Sequence, residues 1–132
     1  MTPDEAREFL RDNHRAVMST VRRNGRPQMS LVAAGVDAEG RVIVSTPGTT
    51  AKANNLRRDP HVSLIVMTEG WYGPSVQVDG TAEIVEQPDS VEPLVDYYRR
   101  ISGEHPDWDE YRQAMRDEQR VLVRFEIEHA SG

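Results

Sequence analysis

Apolar residues recur along this chain in two rhythms, a helical one in short stretches and an alternating one between them. Ala6, Phe9 and Leu10 fall at i, i+3 and i+4. Ahead of them, Thr2-Pro3-Asp4-Glu5 offers an N-cap, a proline at the first helical position and a capping-box glutamate, so a first helix is expected to run to about Asn13-His14. Ala16 to Arg22 then alternates as a strand, Arg23-Asn24-Gly25 supplies hairpin turn chemistry, and Pro27 to Val36 reads as the returning strand. Asp37-Ala38-Glu39-Gly40 turns the chain into a third strand, Arg41 to Thr46.

Pro47-Gly48-Thr49-Thr50 breaks that strand, and Thr50 is placed to cap a short helix from Ala51 to about Asp59, stopped by Pro60. His61 to Met67 and Ser75 to Glu86 read as strands joined by the turn-rich Glu69-Gly70-Trp71-Tyr72-Gly73-Pro74, with Gly80 as the mark of a bulge. Ser90 to Ser102 carries a helical stripe of Val91, Leu94, Val95 and Tyr98 and stops at Gly103. A further helix starts near Pro106-Asp107 with Trp108, Tyr111 and Met115, and Arg120 to Ile127 closes as a strand. Six strands in hairpin order, without the strand-helix alternation of a parallel sheet, predict a mainly β fold with flanking helices: a small six-stranded antiparallel barrel with the helices outside.

Composition narrows the picture. A length of 132 residues with 37% hydrophobic and 29% charged residues is expected to form one globular domain over residues 1–132. No apolar run approaches the roughly 20 residues that cross a bilayer, and the first residues show no export signal, so a cytoplasmic location without membrane association is expected. The absence of cysteine excludes disulfides, thiolate metal sites and cysteine nucleophiles. A net charge of -6 argues against a nucleic-acid binder. Its distribution is uneven: residues 1–60 hold 10 basic and 7 acidic side chains, a net of +3, and residues 61–132 hold 6 and 15, a net of -9. An anion site is therefore sought in the first half, where the chain's one lysine, Lys52, also lies.

Ser45-Thr46-Pro47-Gly48-Thr49-Thr50-Ala51-Lys52 runs from a strand end through hydroxyls and glycine into a helix start, which offers free N–H groups, a positive helix end and an ammonium to a phosphate. It is not a Walker loop, because the glycine-lysine spacing differs. The same residues also suit a capped helix bearing a solvated lysine. Arg57 and Arg58 either extend the positive patch or form its solvated face. On the hairpin, Gln28 and Ser30 share one face, where they either hydrogen-bond a planar heterocycle or meet water. Arg26 lies in the adjoining arginine cluster, and Trp71 and Tyr72 put aromatics on a turn, either to stack on a ring or to pack the loop. The four histidines show no ligand spacing, and neither a metal site nor a catalytic triad, nucleophile elbow or dinucleotide turn is visible.

Several segments in order resemble one family. They are Gly25-Arg26-Pro27-Gln28, Lys52 followed by Asn55-Leu56-Arg57-Arg58-Asp59-Pro60, Val78-Asp79-Gly80-Thr81-Ala82, and the run from Tyr98 to Met115. Together they resemble the pyridoxamine 5'-phosphate oxidase-like, FMN-binding split β-barrels, and within these the coenzyme F420-dependent reductases of actinobacterial type. The resemblance implies a six-stranded split barrel and a homodimer with two cofactor sites at the subunit interface. It implies that Lys52 and the Thr49-Thr50-Ala51 backbone bind the cofactor phosphate, and that Gln28, Ser30, Ser45 and Thr46 border the deazaflavin ring. By the same resemblance Arg26, Arg57 and Arg58 would contact the oligoglutamate tail, and Trp71 and Tyr72 would lie near the ring or substrate. The implied activity is hydride transfer from reduced F420 to a small enone, quinone or tetrapyrrole-like substrate. The alternatives are an FMN-dependent oxidoreductase on the same fold or a non-enzymatic cofactor carrier. Thr50 departs from relatives that carry arginine two positions before the lysine.

Overall fold

A computed structural model describes residues 1–132. Helix α1 (Pro3–Asp12) opens with the anticipated capping box: Glu5 N donates to Thr2 Oγ1 at 3.1 Å and Thr2 N to the Glu5 carboxylate at 3.0 Å. The strands β1 (Arg15–Val21), β2 (Pro27–Val36) and β3 (Val42–Pro47) then form the antiparallel meander. Helix α2 (Ala51–Arg58) follows, then β4 (His61–Met67), β5 (Ser75–Thr81) and β6 (Glu83–Val85). Two adjacent helices, α3 (Val91–Ser102) and α4 (Trp108–Asp117), precede β7 (Arg120–Phe125) and β8 (His129–Ser131). All pairings are antiparallel, in the order β6-β7-β3-β2-β1-β4-β5-β8.

The sheet thus has eight strands rather than six. The predicted strand Ser75 to Glu86 divides at Ala82, whose N–H donates to Pro60 O at 2.7 Å in register with β4 but gets no N–H back from proline; β5 pairs with β4 and β6 with β7. The eighth strand, His129–Ser131, is three residues long and adds to the free edge of β5. Val76, Val78 and Ala130 from one end of the sheet share a core with Val123 and Phe125 from the other, so the sheet curls on itself as a split barrel. Ala6 and Leu10 of α1 and Leu56 of α2 are buried in the same core. A second cluster, with Ile43, Leu94, Val95, Tyr111, Met115 and Leu122, seats α3 and α4 on the outer face of β3 and β7.

Gly80 is not at a bulge. Its partner is Val62 and that of Thr81 is His61, so the ladder is unbroken. A Cβ at position 80 would stand 2.4 Å from the Phe125 ring and 2.5 Å from Glu126 O, so glycine is required where the two ends of the sheet meet. Gly80→Ala should therefore destabilise the fold by about 1–3 kcal/mol, read as a lower urea midpoint at unchanged slope. An unaltered midpoint would show that the contact yields without cost.

Candidate functional site

The passage from β3 into α2 is built by hydroxyls. Thr50 is the N-cap: its Oγ1 accepts from Ala53 N at 3.3 Å, donates to Pro47 O at 3.0 Å and lies 3.0 Å from Oγ1 of the fully buried Thr46. With both hydroxyls committed to the turn, the backbone beyond is held open. The N–H groups of Thr49, Ala51 and Lys52 find no acceptor in the protein, and Thr49 and Ala51 are exposed. Lys52 is half-buried and forms no ion pair or hydrogen bond. Three free donors at a positive helix end beside an unpartnered ammonium suit an oxyanion.

The arginines nearby differ in their freedom. Arg57 is held: its guanidinium makes two 2.8 Å bonds to Glu86 and donates to Gly48 O at 2.7 Å and Asn54 Oδ1 at 2.9 Å. Arg58 has no carboxylate partner and donates to Asn55 Oδ1 and Val21 O. Arg26 is exposed and its side chain has no partner. An open, polar cleft of about 600 Å³ lies between the β1–β2 turn and α2, lined by Arg23, Ala51, Asn54, Asn55, Arg57 and Arg58.

Gln28 and Ser30 lie on the face of β2 that carries the buried register of β1, opposite Thr20 and Met18. Gln28 Nε2 donates to Ser30 Oγ at 2.8 Å and Gln28 Oε1 accepts from Thr20 Oγ1 at 3.3 Å, while Thr20 accepts from Asn55 Nδ2 of α2 at 3.1 Å. The structure thereby joins Gln28 and Ser30 to the helix of Lys52 through Thr20 and Asn55, two buried residues that the sequence pattern did not single out. The available signal was a threonine in the apolar register Ala16, Met18, Thr20 and an asparagine beside the core residue Leu56.

Ser45 stands apart from these. It points to the opposite face of β3 from Thr46, where it accepts from Arg120 Nη1 at 3.3 Å close to Tyr97. Burial raises the Tyr97 phenol above its ordinary value, so it stays protonated and donates to Ala33 O at 2.8 Å.

Trp71 and Tyr72 are 86% and 96% exposed on the β4–β5 connection. Trp71 borders a mainly apolar groove of about 400 Å³ with Arg15, Ala16, Leu31, Val32, Met67, Thr68, Glu69 and Gly70. Beside it the outer face of the sheet is apolar in register: Leu31 pairs with Val17 and Val17 with Ile65, and Met29, Leu31 and Ile65 are all exposed.

Residues 2–132 match the pyridoxamine 5'-phosphate oxidase family over nearly the whole chain. The chain belongs to that family. Among solved structures of similar form is a conserved hypothetical protein of Mycobacterium tuberculosis, 28% identical, with a TM-score of 0.81 over 98% of this chain and 82% of that one. An F420 reductase is 20% identical, with a TM-score of 0.71 and 94% of both chains covered. The heme storage protein of Vibrio cholerae is also 20% identical, with a TM-score of 0.68 over 97% of this chain and 92% of that one. The start of α2, the cleft lined by Arg23 and Arg58 and the groove beside Trp71 all lie on this one barrel. No helix is long and apolar enough to cross a membrane.

The pair Arg57–Glu86 locks the last turn of α2 to the segment after β6, and it titrates. The hydrogen bonds from Arg57 hold the Glu86 carboxyl below its usual range. A carboxyl depressed in the folded state stabilises above its unfolded pKa and loses that contribution as pH falls through the folded value. Stability should therefore decline on acidification below about pH 4.5, and the Glu86→Gln variant should lose part of that slope. Thermal melts from pH 6 to pH 3 check this; parallel curves for both proteins would refute it.

Proposed function

We propose that this protein binds the deazaflavin coenzyme F420 at the α2 cradle and passes hydride from its reduced form to a small conjugated acceptor. One observation carries the reading: the unpartnered Lys52 and the three open N–H groups at the start of α2 adjoin an arginine-lined cleft. A cofactor with an internal phosphate and a polyanionic tail matches that order of charges. The likeness to an F420 reductase in fold agrees with it. The reduced deazaflavin supplies hydride from the carbon that stands where a flavin has N5, so the protein needs no nucleophile or triad of its own.

The residues then divide by task. Lys52 with the N–H groups of Thr49, Ala51 and Lys52 holds the phosphate, and Thr50 and Thr46 keep that turn in shape. Arg26 and Arg58 are the free cations for the tail, while Arg57 serves chiefly as a staple to Glu86. Gln28 and Ser30 meet the ring, with Ser45 behind the strand. The apolar groove beside Trp71 takes the acceptor and excludes water from it. A second copy of the chain covers the apolar face of Met29, Leu31 and Ile65, which puts the groove and Trp71 and Tyr72 at a subunit boundary. A cytoplasmic enzyme with a small-molecule substrate is the expected setting.

FMN is the second reading, and the engagement of Arg57 by Glu86 favours it, because FMN carries a phosphomonoester and no tail. Titration with both cofactors at rising salt separates them. F420 should bind more tightly at low salt and lose affinity as salt rises, since its tail contacts are exposed charges. FMN affinity equal or higher at every salt concentration would reverse the choice. A carrier role, of the kind named for the heme storage protein, is distinguished by whether reduced F420 in the complex is reoxidised by quinones, enones or bilins in a single turnover.

Lys52→Ala should remove about 1.5–3 kcal/mol of charge-assisted bonding, roughly ten- to a hundredfold in cofactor affinity, at unchanged melting temperature. Unchanged affinity rejects the cradle. Leu31→Glu should convert a dimer to a monomer in light scattering and weaken cofactor binding with it; a variant that stays dimeric rejects this face.

A further inference from the structure

A chain of five side chains runs from α2 through β1 to β2: Arg58 Nη1 donates to Asn55 Oδ1 at 3.3 Å, Asn55 Nδ2 to Thr20 Oγ1 at 3.1 Å, Thr20 Oγ1 to Gln28 Oε1 at 3.3 Å, and Gln28 Nε2 to Ser30 Oγ at 2.8 Å. Its direction is set at both ends by groups with one role each. A guanidinium only donates, so the atom of Asn55 that faces Arg58 is its oxygen and its amide nitrogen faces Thr20. A backbone carbonyl only accepts, and Met29 O lies 3.2 Å from Gln28 Nε2, which fixes the Gln28 amide with its oxygen toward Thr20. Between them Thr20, 1% exposed, receives one proton and gives one. At the far end Ser30 Oγ already accepts from Gln28, and its own proton has no acceptor in the protein.

We infer that this chain is a directional relay which fixes the half-buried Ser30 hydroxyl as a hydrogen-bond donor toward an acceptor edge of the bound heterocycle, making Thr20 and Asn55 positioning residues of the site. The inference rests on the reading that a ring cofactor lies against Gln28 and Ser30. The relay also ties α2, which carries Lys52 one helical turn before Asn55, to the strand that bears Gln28 and Ser30, while Lys52 itself takes no part in it. A ring acceptor met by this donor is a carbonyl oxygen or an unprotonated ring nitrogen, and a protonated ring nitrogen is disfavoured there.

Substitutions inside the relay test it without touching the cofactor directly. Thr20→Val keeps shape and removes the hydroxyl. Asn55→Asp offers Thr20 only acceptors, so the proton of Thr20 turns toward position 55, Gln28 Oε1 loses its donor, and the Gln28 amide that positions Ser30 is left held by Met29 O alone. Both variants and Ser30→Ala should each weaken F420 binding about tenfold and shift the visible absorption of the bound cofactor in the same direction. Thr20→Val combined with Ser30→Ala should cost no more than either alone, whereas Lys52→Ala should add to each of them. Thr20→Ser should restore affinity and spectrum. In ligand-free protein, the nitrogen-proton spectrum of the Gln28 side-chain amide should move in Thr20→Val and Asn55→Asp and keep its place in Thr20→Ser.

Wild-type affinity and spectrum in a folded Thr20→Val variant, or additive losses in the double variant, overturn the relay. A wild type that binds neither F420 nor FMN overturns the functional reading instead. The ligand-free amide signal of Gln28 then decides the relay by itself, and an unmoved signal in Thr20→Val refutes it.

Discussion

The buried hydrogen bond from Asn55 to Thr20 is the contact on which the site depends. Helix α2 is only eight residues long, too short to hold itself in water, so its place is fixed by what it buries. Leu56 enters the barrel core and Ala53 is fully buried, but apolar contacts alone would let the helix slide or roll over the sheet. A buried amide that must meet a buried hydroxyl removes that freedom, because leaving either unpaired costs about 1–3 kcal/mol. With α2 fixed in this way, Lys52 and the open N–H groups stand in a set relation to β1 and β2.

The second constraint is electrostatic. In a protein of net charge -6, half of the 16 lysine and arginine side chains are already answered: Arg7, Arg41, Arg57, Arg99, Arg100, Arg112, Arg120 and Arg124 each face a carboxylate. Lys52 and Arg58 of α2 and the hairpin arginines Arg22, Arg23 and Arg26 are not, nor are Arg11, Arg15 and Arg116 elsewhere. Five of these unanswered cations are on α2 and the β1–β2 hairpin beside it, which gives this surface its positive character. Glu86 adds a boundary to it, since it takes Arg57 out of that set and, through the bond from Arg57 to Gly48 O, ties the turn before α2 to the segment after β6.

Much of the fold was legible in the sequence. Thr2 with Glu5, Asp107 ahead of Trp108 and the turns at Gly25 and Gly40 carry local instructions, and the structure follows them: both glycines have positive φ and both caps form. What failed was non-local. A three-residue strand at His129–Ser131 has no periodicity to read, and the break at Ala82 depends on Pro60, twenty-two positions away. Gly80 looks like a bulge to a reader of one strand and proves to be a clearance for Phe125 on another. The site behaves likewise. Lys52 was conspicuous as the one lysine, whereas Thr20 and Asn55 have meaning only once β1 and α2 are in contact, and the placement of Ser45 and Thr46 on opposite faces of β3 follows from strand alternation in a way their adjacency conceals.

The proposed function requires a phosphorylated ring cofactor with its phosphate at the start of α2 and its ring against Gln28 and Ser30. A crystal structure of the protein soaked with F420 measures this directly. Phosphate oxygens are expected within hydrogen-bond distance of Lys52 Nζ and of the N–H groups of Thr49, Ala51 and Lys52, with a ring acceptor at Ser30 Oγ. A cofactor bound elsewhere on the barrel, or a phosphate that leaves Lys52 in solvent, would contradict it.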